Sequence, residues 1–200
     1  MNVREDRARQ TARRVQEKLP KFLPVDVLAV CEACGYILRF HDDALDDNEE
    51  AVTYYLRDRY LIFLKKTGGR TASCRLRWTI AHELGHILLG HFEEYDLSFS
   101  AASKLGRQVA WVINREANLF AEELLMPEAF LRGHMEEGSD ALRRICDVSR
   151  QSLAIRLKRL GLAEPDPAEP DLAEPTRPSR TLQAAETAAV YLPGLSGIPR

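Results

Sequence analysis

The sequence has no long apolar run. Nowhere do its 200 residues hold the roughly 20 consecutive apolar positions that a membrane-spanning helix needs, so no membrane span and no membrane partner are expected. An excess of charge of either sign is missing too. There are 28 Lys and Arg against 30 Asp and Glu, a formal net charge of -2, and such a balance gives no global pull toward nucleic acid or an anionic surface. Cysteine is sparse. Cys31 and Cys34 have CxxC spacing, but no second pair follows. They continue an apolar pattern made by Val25, Val27, Leu28 and Val30, and both are read as core or near-core thiols rather than a redox pair. The opening MNVREDRARQTARR is charged with no apolar stretch behind it, unlike a secretory signal, and a cytoplasmic protein is expected.

What is present suffices for one domain with an appendage. Apolar residues make up 45% of the chain, enough for a core. Residues 1–20 read as a charged helix. Pro24 fits the first turn of a second helix that Gly35 stops near Cys34. Tyr36 to Phe40 reads as a short strand, and residues 42–50 as an acidic loop. Val52–Leu56 and Tyr60–Leu64 are β-branched, aromatic and aliphatic, the pattern of a hairpin, closed by Gly68-Gly69. Helix resumes from about Ser73 to Leu89, a loop of mixed composition covers 92–105, and a helix from about Gln108 to Leu125 stops at Pro127. Residues 127–162 read as a small helical unit, with helices Ala141–Cys146 and Ser149–Leu160 and Ser149 as an N-cap. Its segment 139–162 holds six basic residues (Arg143, Arg144, Arg150, Arg156, Lys158, Arg159) against Asp140 and Asp147. Two readings stand: a DNA-contacting helix–turn–helix, or a helical pair that closes the core with its arginines on a solvated face. From Ala163 the chain changes character. AEPDPAEPDLAEPTRPSR holds five of the ten prolines, the composition of a linker or disordered tail, and Leu182–Leu192 reads as a short helix within it.

The chemistry concentrates in His82-Glu83-Leu84-Gly85-His86, an HExxH inside a helical pattern. Residues four apart share a helix face, so both imidazoles can grip one Zn2+ while Glu83 stands beside a water at the ion. Gly85 costs roughly 1 kcal/mol against Ala at a helical position, a cost more readily borne where close approach is wanted. A catalytic zinc usually takes three protein ligands, and one helix cannot surround it. His91 lies five positions past His86, off the shared face by about 140° of helical rotation, and is read as lying behind the ligands or at the surface. Glu116, at the edge of the face bearing Ala117, Phe120, Ala121 and Leu124, is the chosen third ligand, with Glu122 and Glu123 as competitors.

Three stretches together are more specific than HExxH alone: Arg77–His91, Glu116–Pro127, and Val148-Ser149 followed by Leu153–Gly161. They resemble the ImmA/IrrE family of metallopeptidases, and with Leu23–Asp26 the resemblance covers about residues 20–162. It implies an α+β, zincin-like domain over residues 1–162, including the helix–turn–helix-like unit 127–162, with 163–200 as a tail outside it. His82 and His86 match the family's zinc ligands, Glu83 its catalytic glutamate and Glu116 its acidic third ligand. Manganese is the alternative ion in the cell. Members of the family cleave or inactivate helix–turn–helix repressors of mobile-element, phage or stress-response genes, and such a repressor is the expected partner. Direct DNA binding through 139–162 belongs to the alternative, a non-catalytic regulatory module. An oxyanion donor is not assigned by spacing; Tyr54, Tyr55, Tyr60, His91 and His134 are the candidates.

Overall fold

A computed structural model describes residues 2–20, 23–40, 50–57, 59–65, 70–95 and 106–162. The expected acidic loop (apart from Glu50), the Gly68-Gly69 turn, most of the 92–105 loop and everything from Ala163, the proposed helix at Leu182–Leu192 included, lie outside them.

The order is α1 (Glu5–Glu17), α2 (Val27–Ala33), β1 (Ile37–Phe40), β2 (Ala51–Leu56), β3 (Arg59–Leu64), α3 (Arg70–Leu88), α4 (His91–Glu94), α5 (Arg107–Leu125), α6 (Glu128–Gly133), a 3-10 turn at Met135–Glu137, α7 (Ser139–Cys146) and α8 (Arg150–Arg159). This is an α+β region followed by a helical bundle. The expected helix near residue 24 begins later. Asp26 caps α2, its Oδ1 accepting from Leu28 N and Ala29 N at 3.0 Å each, so the side-chain cap rather than Pro24 sets the start. Gly35 ends this helix with φ +72, a left-handed conformation that glycine adopts without penalty. Cys31 is buried in the core, but Cys34, at the C-cap, is exposed, which corrects the reading of both thiols as core groups.

The sheet order is β1-β3-β2, with β1 parallel and β2 antiparallel to β3. Thr53 pairs with Ile62 and Tyr55 with Tyr60. Alternation along a strand sends Ile62 and Leu64 into the main core and Leu61 and Phe63 into a small cluster with Val52 on the other face. Thr53 therefore points to the helical side. Among the described residues the outer edge of β2 pairs with no strand.

The helices supply most of the core. Leu84, Ile87, Leu119, Phe120 and Leu124 are buried between α3, α5 and their neighbours, each contributing about 1.5–3 kcal/mol. Ala8 and Ala12, fully buried, let α1 lie close along α5. Leu142, Cys146, Val148, Leu153 and Leu157 bring α7 and α8 into the same core, and the Ser149 cap forms as expected, its Oγ accepting from Ser152 N at 3.0 Å. The helical pair thus closes the core. Its arginines depart from expectation, because Arg156 is fully buried.

Candidate metal centre

The site is built where α3 crosses α5. A Cβ on Gly85 would stand 3.0 Å from Ala117 Cα, 3.0 Å from Ala117 O and 3.2 Å from Phe120 Cδ1. Only glycine allows the two backbones this close, as the sequence pattern anticipates. On α5 each residue advances the side-chain direction by about 100°. With Ala117 against Gly85, Glu116 and Asn118 fall on opposite flanks of the crossing. Asn118 meets His82 on one flank, and Glu116 meets His91 on the other.

The imidazoles form one continuous chain of close polar contacts. His82 Nδ1 lies 2.9 Å from Asn118 Oδ1, His82 Nε2 lies 3.1 Å from His86 Nε2, His86 Nδ1 lies 3.0 Å from His91 Nδ1, and His91 Nε2 lies 3.1 Å from Glu116 Oε2. The acceptors at the two ends fix the protons. A carboxylate and an amide oxygen cannot donate, so His91 carries its proton on Nε2 and His82 carries its proton on Nδ1. With all three rings neutral, His91 Nδ1 accepts from His86 Nδ1. In the middle the two Nε2 atoms then face each other across 3.1 Å beside the Asn114 side chain, a spacing that suits a cation held between them. Two imidazoles on tetrahedral zinc, with bonds of 2.0–2.1 Å, would hold their nitrogens about 3.3 Å apart. Burial pushes His82 down to about 4 and His86 well below the usual histidine value, so both rings are neutral donors at neutral pH. Asn118 and His91 support the outer ring nitrogens as partners behind metal ligands commonly do.

Glu83 is fully buried, and Thr53 Oγ1 donates to its Oε2 at 2.6 Å. Strand β2 thus fixes the orientation of the HExxH glutamate.

Glu116 is fully buried as well, but its oxygens are engaged elsewhere. Oε1 accepts from Arg4 N at 2.8 Å and Arg4 Nε at 3.0 Å; Oε2 accepts from Arg4 Nη2 at 2.8 Å and His91 Nε2 at 3.1 Å. Burial alone would raise this carboxyl. The His91 and Arg4 hydrogen bonds outweigh it and hold the group at about 2. Among the described residues no group of three His, Cys, Asp or Glu side chains stands assembled to hold a metal ion. The two histidines fit zinc as a pair. Glu116 fits only by giving up a present partner.

The competing carboxylates are occupied too. Glu123 pairs with Arg156 of α8 and, at 2.9 Å, with Arg13 of α1, while Glu122 pairs with Arg159. The same pairs absorb much of the basic segment, since Arg143 and Arg150 also lie within 4 Å of Asp140. Of the oxyanion candidates, Tyr54 points to the other sheet face, against Phe63. Tyr60 donates to Glu93, and His134 stacks on Phe130. Tyr55 shares the face of Thr53 and is exposed. Both nitrogens of His91 are committed. Reading His91 by helical rotation fails because the helix does not continue: Gly90, at φ +71, breaks it, and the turn returns His91 to the centre fully buried. The sequence reading missed Arg4, Thr53 and Asn118. Only Asn118 carried a local signal, since it shares a helix face with Asn114 four residues earlier and lies beside Glu116 in the motif.

A Mycobacterium tuberculosis transcriptional regulator shares the fold, with a TM-score of 0.53 at 18% identity. The match covers 78% of this chain and 48% of that one, so the chain spans about half the length of that protein. No curated protein matches the chain. The family model of the IrrE N-terminal-like domain, a peptidase family, matches residues 36–158, and the chain belongs to that family. Among the described residues no helix is long and apolar enough to cross a membrane.

Proposed function

We propose that this protein is a zincin-like, zinc-dependent endopeptidase that cuts a helix–turn–helix transcriptional repressor in the cytoplasm. The observation that carries the reading is the pair of facing His82 and His86 Nε2 atoms beside a buried Glu83 that Thr53 holds in place. His82 and His86 hold the ion, with Glu116 as third ligand; manganese fits the same donors. A zinc ion there supplies a water of lowered pKa and polarises the substrate carbonyl. Glu83 takes the proton of the attacking water and returns it to the leaving amine. Thr53 Oγ1 keeps one Glu83 oxygen engaged, which leaves the carboxylate a fixed aim.

Substrate binding follows from the sheet. A peptide added along the outer edge of β2 would run past Thr53 and so past Glu83. Slowed hydrogen–deuterium exchange of β2 on addition of substrate is expected, and unchanged exchange contradicts this route. The alternative, a regulatory module that binds DNA or a repressor without cutting, draws on the basic segment 139–162. Pairing of Arg156, Arg159, Arg143 and Arg150 with acids weighs against DNA. The test is incubation of wild type and Glu83→Gln, both loaded with zinc, with the repressor encoded nearest the gene. Cutting by wild type alone supports the peptidase; salt-dependent duplex DNA binding with no cutting favours the module.

A further inference from the structure

Arg4 lies outside the region matched by the family, yet it grips the acid of the centre. Its backbone N–H, Nε and Nη2 all donate to Glu116, while Nη1 reaches both oxygens of Glu94 at 2.7 Å. An ionised carboxylate offers about four lone-pair positions. Arg4 takes three of them on Glu116 and His91 takes the fourth. A metal ion needs one, so ligation requires a donor to leave. Losing His91 would also remove the ring that supports His86 Nδ1. Arg4 brings in addition a positive charge that a divalent cation would have to approach.

We propose that Arg4 is a latch on the metal centre: seating of residues 2–4 on Glu116 and binding of a divalent ion at His82, His86 and Glu116 oppose each other. The inference rests on the metal-centre reading above. By linkage, whatever factor the latch takes from metal affinity, bound metal takes from the seating of the segment. The rest of α1 stays in place, because Ala8 and Ala12 are buried against α5 and Gln16 Nε2 donates to Glu123 O and Leu124 O. The latch thus moves at the helix entry alone, and a partner or substrate that captures residues 2–4 would raise the metal affinity of the centre.

The test is chelator competition for zinc on the full chain, comparing wild type, Arg4→Gln and Arg7→Gln. Arg7 contacts Glu94 and Leu89 O but not Glu116, so it controls for loosening of the helix. Arg4→Gln is expected to bind zinc about tenfold more tightly or better, within the roughly 5- to 150-fold usual for coupled sites, and Arg7→Gln to match wild type. A second readout needs no variant. The Arg4 amide, now bonded to Glu116 Oε1, should lose hydrogen-exchange protection when wild type is saturated with zinc. Equal or weaker zinc binding by Arg4→Gln, or an Arg4 amide unchanged by zinc, overturns the latch and leaves the metal centre standing. Folded wild type that takes up no zinc overturns both.

Discussion

Helix α5 carries buried carboxylates in two settings. At its C-terminal end Glu122 and Glu123 meet Arg156, Arg159 and Arg13, charges brought by α8 and α1. Two acids there meet three arginines, and the pairs tie three helices together. Two turns earlier Glu116 meets Arg4 and His91, and the chain of contacts runs on to the facing Nε2 atoms of His86 and His82. One end is built from acid–arginine pairs; the other brings two histidine nitrogens face to face. The same residue type, on the same helix and equally buried, is therefore structural in one place and poised for chemistry in the other. The surrounding donors make the difference.

The largest expected effect is at the structural end. Arg156→Ala removes the buried partner of Glu123 and leaves it only the half-exposed Arg13; it should cost about 3 kcal/mol in denaturant unfolding, without altering zinc bound per folded chain. A change in zinc stoichiometry would mean that the two ends are not separate. At the centre, acid should destabilise the metal-free protein. Burial depresses His82 to about 4 and holds His86 well below the ordinary histidine value, so below that value the unfolded chain binds protons that the folded one refuses. Stability is then full above about pH 6.5 and falls as pH drops toward 4, by up to about 1.4 kcal/mol per pH unit for each histidine. Saturating zinc should add stability at neutral pH that is lost as pH falls, because metal and protons compete for the same two ring nitrogens; no zinc-dependent gain at neutral pH would deny that the histidines are ligands. At the crossing between the two ends, Gly85→Ala should cost about 1–3 kcal/mol by overpacking against Ala117; a neutral outcome in thermal unfolding would show that the helices can move apart freely. The smallest effect on stability is expected for Thr53→Val, about 1 kcal/mol. Misaiming Glu83 should nonetheless lower kcat roughly tenfold to hundredfold with KM little changed, and unchanged kcat would remove Thr53 from the mechanism.

Local chemistry explains which of these features the sequence displays. Spacing of four put His82 and His86 on one face, and a glycine between them announced the close crossing. Ser149 capped α8 where a hydroxyl before a helical run should. Contacts made at long range were not legible. Arg4 and Glu116 are 112 positions apart and Thr53 and Glu83 are 30 apart, and no periodicity links them. His91 stands behind His86, one of the two places the sequence allows, but by a turn at Gly90 rather than by rotation along a continuing helix. Arg156 was misjudged because a basic residue on an amphipathic helix is usually solvated, and only the tertiary fold shows the acids waiting for it. The start of α2 was read from Pro24, whereas the Asp26 side chain decided it.

The proposed metal site on α3 is the most directly measurable feature of the protein. Elemental analysis of purified wild type, Glu83→Gln and His86→Ala, after equilibration with zinc and removal of excess, measures it. About one zinc per chain in the first two and none in His86→Ala, with all three folded, is the predicted result. No stoichiometric zinc in folded wild type, or undiminished zinc in His86→Ala, would contradict it.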